Sequence, residues 1–322
     1  MRAGSIAYVS PVGLLIFPGF RPTDCSRASD MQYRPYGSLH ELIHIYHHRK
    51  WTVPEPAIWS IFTDLVDACL VLQYGSVEAQ DADDDWRPIV HREIKFGNVL
   101  LDLESPNKEF PSYPQIKLAN FGAAVMTDDN DAMNPNGYND GTGTPYWRPP
   151  EHISFLRRKT LAPDPGKAFK LGEKTNVSTQ SIFLLAIWHL LDRIPCISLV
   201  LTISQVWGVG AIILRLMNSD PTPYGPDYKF YRAESPRLND AGRQFSKELQ
   251  ELVQLCVKFI PADRPALRDI RAQIIELTNP DVVPDLAEGM RTEEKAMDRT
   301  GLRLRHKADD DRYKLAAAGI QF

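Results

Sequence analysis

The sequence predicts a mainly α-helical α+β protein, and three observations carry that prediction. Several stretches place apolar residues at helical spacing, and two short runs in the first half read as strands. Hydrophobic residues make up 43% of the chain against 24% charged, the balance of an ordinary globular protein. At 322 residues the chain can bury a substantial core, as one large domain or two modest ones.

Residues 1–30 are rich in Gly, Pro and Ser and show no helical or strand period, so they read as a remnant or misassigned N-terminal segment. Their apolar run follows an early Arg, but Pro11 and Pro18 interrupt it and no small-residue cleavage site follows, so export is not expected. A short helix is expected from Ser38 to Arg49, then a turn at Pro54. The strongest helix comes next: Ile58, Ile61, Phe62, Leu65, Val66, Cys69 and Leu70 share one face, with Pro56 in the first turn. The acidic EAQDADDDW reads as solvated surface. NVLLDL and QIKLAN read as strands flanking a Pro-rich, hairpin-like connection, and a polar loop runs from Met126 to Gly143. Helical patterns return at Val206–Met217, Phe245–Ile260 and Leu267–Leu277, and residues 278–322 form a charged tail.

A net charge of -4 gives no basic stripe for nucleic acid, so no nucleic-acid partner is expected. Cys25, Cys69, Cys196 and Cys256 lie far apart with no C-x-x-C pair. They match neither a zinc framework nor a disulfide scaffold, which points to a reducing, cytoplasmic setting.

Several landmarks follow one another in a recognisable order: QYRPYGSL (Gln32–Leu39), VHREIKFGNVLL (Val90–Leu101), LANFG (Leu118–Gly122), GTPYWRPPE (Gly143–Glu151), VWGVGAIILRLM (Val206–Met217) and DRP (Asp263–Pro265). Together they resemble the large lobe of a eukaryotic-type protein kinase, of serine/threonine type because K-x-x-N is kept, over roughly residues 31–277. The resemblance implies ATP and Mg²⁺ as cofactors and a protein substrate or protein partner. Glu93, Lys95 and Asn98 fall at the catalytic positions. Met31, Tyr33 and Leu100 fall where the resemblance places nucleotide contacts, and Asn98 and Asn120 at the metal positions. Arg92 matches the arginine that organises the activation loop, with Thr127, Tyr138, Thr142 and Thr144 as candidate phosphosites facing it. His91 is expected to pack and hydrogen-bond, and Arg264 to pair with Glu151.

Phosphoryl transfer depends on placing charge around the phosphates and the attacking hydroxyl. Glu93 stands where the resemblance expects Asp, and its stem is one methylene longer. Displacing a carboxylate by about an ångström can cost on the order of a hundredfold in rate. Asn120 puts a neutral amide where a carboxylate should hold magnesium, and hard cations favour carboxylates. A small lobe of five strands and a helix needs well over ~50 residues, whereas only about thirty precede QYRPYG. That segment contains no G-x-G-x-x-G, and the first lysine of the chain is Lys50. The expectation is a kinase-like large lobe with a vestigial or missing small lobe and impaired or absent activity, the alternative use being a pseudokinase scaffold that binds protein.

Two features stand apart. Residues 177–205 form an atypical apolar insertion whose cleanest core, Ile182–Leu191, is followed by Asp192, Arg193 and Pro195. That core falls short of the roughly 20 residues a membrane helix needs, so no membrane span is expected. The segment opens with Val-Ser and closes with Gln, encodable by the ends of an intron, and its removal leaves a continuous helix pattern. His40-Glu41-x-x-His44 matches the zinc-peptidase helix motif, but no convincing third ligand follows it, which leaves zinc peptidase a remote alternative.

Overall fold

The computed structural model describes residues 36–78, 86–104, 113–126, 143–144, 147–150, 201–221 and 236–279. Helix α1 (Leu39–Arg49) begins where Ser38 accepts the Glu41 backbone N–H and Glu41 returns its carboxylate to the Ser38 N–H, a reciprocal cap. Leu39, Leu42, Ile43 and Tyr46 turn inward, and Lys50 ends the helix in the left-handed region.

Helix α2 (Glu55–Tyr74) carries the expected Pro56 in its first turn and stops at Gly75, whose φ of 76° suits glycine. A side chain there would meet the ring of Trp86, only 2.9 Å from an added Cβ. That ring lies close because its Nε1–H donates to the Leu72 carbonyl, satisfying one of the helix's terminal acceptors. By length and composition α2 could cross a membrane, with a mean hydropathy of 1.3 over its apolar window. That window is 83% buried inside the protein, as in the central helix of a core.

Two strand pairs lie against the helices. Strands β2 (Val99–Glu104) and β3 (Pro114–Leu118) run antiparallel in the register Val99 to Leu118 and Leu101 to Ile116, as the two apolar runs predict. All four of those side chains are buried. The buried Asp64 of α2 accepts the Ile116 N–H at 2.8 Å, fixing β3 to the central helix. Strands β1 (Ile89–Val90) and β4 (Val125–Met126) form a second, shorter antiparallel pair.

Helix α3 (Leu201–Met217) packs on α2, and α4 (Lys247–Cys256) packs on α3. Helix α5 (Leu267–Thr278) lies on α2, where Arg271 bridges Asp67 at 2.8 Å and Glu78 at 2.9 Å. The expected helix Phe245–Ile260 is shorter at both ends. Ser246 caps the backbone N–H of Leu249, so helical geometry starts only at Lys247, and it ends at Cys256, where the Val257 N–H closes the last turn onto the Val253 carbonyl. Glu55 accepts from both the N–H and the hydroxyl of Ser246, tying the starts of α2 and α4 together. Helix α3 takes in residues 201–205 of the apolar segment, whereas residues 177–200 lie outside the described residues. Cys69 and Cys256 are buried free thiols.

Candidate functional site

The two strand pairs share one chain path, β1 to β2 and β3 to β4, and the site forms where both ladders are interrupted. Residues 91–98 connect β1 to β2 and end in a tight helical turn at Phe96–Asn98. Facing them, residues 119–124 connect β3 to β4 through a turn at Phe121–Ala123. Backbone groups that would otherwise lie in a ladder must find partners across this gap. The Ala119 N–H donates to the Asn98 carbonyl at 2.9 Å, and Arg92 Nε donates to the Ala123 carbonyl. Arg92 and Asn120 both hold positive φ, 62° and 68°. Asn tolerates that region, whereas an arginine held there is strained by about 1 kcal/mol or more.

His91 anchors the first loop. Its Nε2–H donates to the Ala119 carbonyl at 3.0 Å while Nδ1 accepts the Glu93 N–H at 3.2 Å, so the ring is neutral with one defined tautomer. The imidazole is fully buried and stacks edge-on against Phe121, 4.9 Å between ring centres. Burial pushes it down from 6.5 to about 4, against the opposing pull of the Ala119 carbonyl and Glu93. It therefore packs and hydrogen-bonds, as expected.

Glu93, Lys95, Asn98 and Asn120 converge on one point. Lys95 Nζ donates to Glu93 Oε1 at 2.8 Å and to Thr144 Oγ1 at 2.6 Å, and the Thr144 hydroxyl donates to Glu93 Oε1 at 2.6 Å. Glu93 Oε2 accepts from Asn120 Nδ2 at 3.1 Å and from Asn98 Nδ2 at 3.4 Å. Asn98 Nδ2 also donates to the Glu93 carbonyl at 2.7 Å, and Asn98 Oδ1 accepts from Asn120 at 3.2 Å. Burial alone would raise the Glu93 pKa. Hydrogen bonds from Lys95, Thr144 and Asn98, with the Lys95 charge, outweigh it and hold the carboxyl below its usual value.

This set does not fit Mg²⁺. A hard dication needs several oxygens free to approach to about 2.1 Å. Here both Glu93 oxygens and Asn98 Oδ1 already accept hydrogens, and Asn120 presents its NH₂ to them. Leu100 sits half-buried on β2, bridged to Ser38, close to the chain entering α1. Met31 and Tyr33 lie outside the described residues, as do Thr127, Tyr138, Thr142 and Glu151. Thr144, a candidate phosphosite in the sequence, has its hydroxyl on Lys95 and Glu93. Nothing in the spacing of Glu93 and Thr144 signals that contact.

Helix α3 backs the loop. Gln205 is buried and donates to the Ile89 carbonyl at 2.8 Å. Gly208 lies so close to Ile94 that an added Cβ would come within 2.8 Å of the Ile94 Cβ. Arg215 lies 4.5 Å from the Trp147 ring centre, and Trp147 packs edge-on against Phe96 at 5.0 Å. Arg264 is buried over Trp207 and donates to the carbonyls of Lys258 and Phe259. A recess behind the loop is lined by Val90, Arg92, Ile94, Trp147, Gln205 and Gly208, and Glu93, Lys95 and Asn98 are not among its walls.

No family profile matches the chain. Over 131 residues, 38% of its length, it is 30% identical to the G2-specific protein kinase fin1 of Schizosaccharomyces pombe. The match spans only 16% of that protein. Over that stretch the sequence is kinase-like. Among the described residues no three His, Cys, Asp or Glu side chains converge to hold a metal.

Proposed function

We propose that this chain is a serine/threonine-kinase-like module whose phosphoryl-transfer chemistry is impaired, and that it works by binding a protein partner in a cytoplasmic setting. One observation supports the reading above the rest: the groups at the catalytic and metal positions satisfy one another. Glu93 accepts from Lys95, Thr144, Asn98 and Asn120, so the carboxylate that would orient a hydroxyl is held by four donors. Asn120 brings an amide to the place where a charge would attract magnesium. The closed network has a structural use of its own, because it fastens the loop 91–98 to the facing turn 119–124. The 30% identity to a protein kinase supports the kinase-like half of the reading.

The test is a phosphotransfer assay with labelled ATP, Mg²⁺ and a generic protein acceptor. The native chain and its Lys95→Ala variant are expected to transfer label equally, at the level of a no-protein blank. Transfer by the native chain that Lys95→Ala removes would establish catalysis and overturn the reading. The H-E-x-x-H alternative has less support, since Glu41 is committed to capping α1.

A further inference from the structure

The kinase-like reading leaves unused the most histidine-rich stretch of the chain. His40, His44, His47 and His48 are four of its eight histidines and all lie on α1. Residues four apart stand one above the other on a helix face, so His40 pairs with His44 and His44 with His48. All three are exposed, and the rings of His40 and His44 already lie 4.4 Å apart, centre to centre, at an interplanar angle of 66°. Two imidazole nitrogens bound to one tetrahedral ion at about 2.0–2.1 Å sit about 3.3 Å apart, within reach of side-chain rotation alone.

The helix that carries them is held on three sides. Its inward face is buried through Leu39, Leu42, Ile43 and Tyr46, its start is capped by Ser38 and Glu41, and His47 Nδ1 is bonded to the Ser219 carbonyl at 2.8 Å. His47 thus points to α3's end, while the ladder 40, 44, 48 faces solvent on a fixed backbone. We propose that His40 and His44 form a two-imidazole site for a borderline transition-metal dication, with His44 and His48 as an overlapping second arrangement. Imidazole suits Cu²⁺, Ni²⁺ and Zn²⁺ and not Mg²⁺ or Ca²⁺. Because both pairs share His44, they take one ion between them. With two protein ligands, the remaining positions are left to water or to a ligand from outside. That distinguishes the site from a closed structural zinc centre and from a zinc peptidase with three protein ligands.

The test uses the untagged full chain, stripped with chelator and titrated calorimetrically with Ni²⁺ alone and with Cu²⁺ alone. One ion per chain is expected at micromolar affinity, tighter for Cu²⁺ than for Ni²⁺. His44→Ala removes the ligand common to both pairs and is expected to weaken binding by about tenfold or more, because the second imidazole otherwise acts at high local concentration. His40→Ala is expected to bind more weakly than the native chain and more tightly than His44→Ala. His47→Ala is expected to match the native chain. Native binding weaker than millimolar, binding that His44→Ala leaves within twofold, or binding that His47→Ala removes would overturn the proposal. Circular dichroism of each variant confirms that α1 persists, and the solvent position of these side chains makes loss of fold a separate, visible outcome.

Discussion

Acidification puts a measurable load on His91. The imidazole is fully buried, donates to Ala119 and is held near pKa 4, against 6.5 when solvated. Below pH 6.5 the unfolded chain takes up a proton that the folded chain refuses until about pH 4. The unfolded state binds more protons throughout that window, so stability rises with pH across it and falls on acidification. A gap of about 2.5 between the two values corresponds to roughly 3 kcal/mol, fully present above pH 6.5 and lost by pH 4. Urea unfolding at pH 7.0, 6.0 and 5.0 reads this directly. His91→Gln supplies a non-titrating amide that can still donate to the Ala119 carbonyl. The native chain is expected to lose about 2 kcal/mol more than the variant between pH 7.0 and 5.0. Equal pH slopes would show that the ring is not held neutral, and the account of the loop would fail.

Two further perturbations address the same junction. Glu93→Ala is expected to cost about 2 kcal/mol, since it strips charged hydrogen bonds from Lys95, Thr144 and Asn98. A double-mutant cycle with Thr144→Val should return a coupling of about 1 kcal/mol, and strict additivity would show that the network is not cooperative. Gly208→Ala is expected to destabilise by about 1–3 kcal/mol, because its Cβ would press on Ile94, the residue between Glu93 and Lys95. An unchanged urea midpoint would mean that α3 does not back the loop as closely as described.

The helices were legible because burial imposes a period. Ile58 to Leu70 mark the face of α2 that meets the core, and Pro56 and Gly75 bound it through backbone constraints that act locally. The strands of NVLLDL and QIKLAN were equally visible, since their apolar content matches a buried pair. The helix at Lys247 was overextended because Phe245 is buried without being helical: the Ser246 cap, and not the apolar pattern, sets the boundary. Helix α3 starts at Leu201, ahead of Val206, and within that extension Gln205 is buried and bonded to the Ile89 carbonyl, a contact across 116 positions that no local pattern encodes.

The site was only partly legible, for a similar reason. Glu93, Lys95 and Asn98 lie within six residues, so their convergence follows from one tight loop. Asn120 and Thr144 reach the same point from 27 and 51 positions away from Glu93, through hydrogen bonds that depend on the completed fold. In the sequence Glu93 and Asn120 each read as a separate departure from the kinase-like pattern. In the structure they are partners, with Asn120 Nδ2 donating to Glu93 Oε2 at 3.1 Å.

The central proposal is that this network, with its groups committed to one another, does not take up a magnesium-bound nucleotide. Thermal unfolding of the native chain with ATP titrated to millimolar concentration, with and without Mg²⁺, tests it most directly. The account predicts the same midpoint in all conditions. A saturable rise that requires Mg²⁺ and disappears in Lys95→Ala would contradict it.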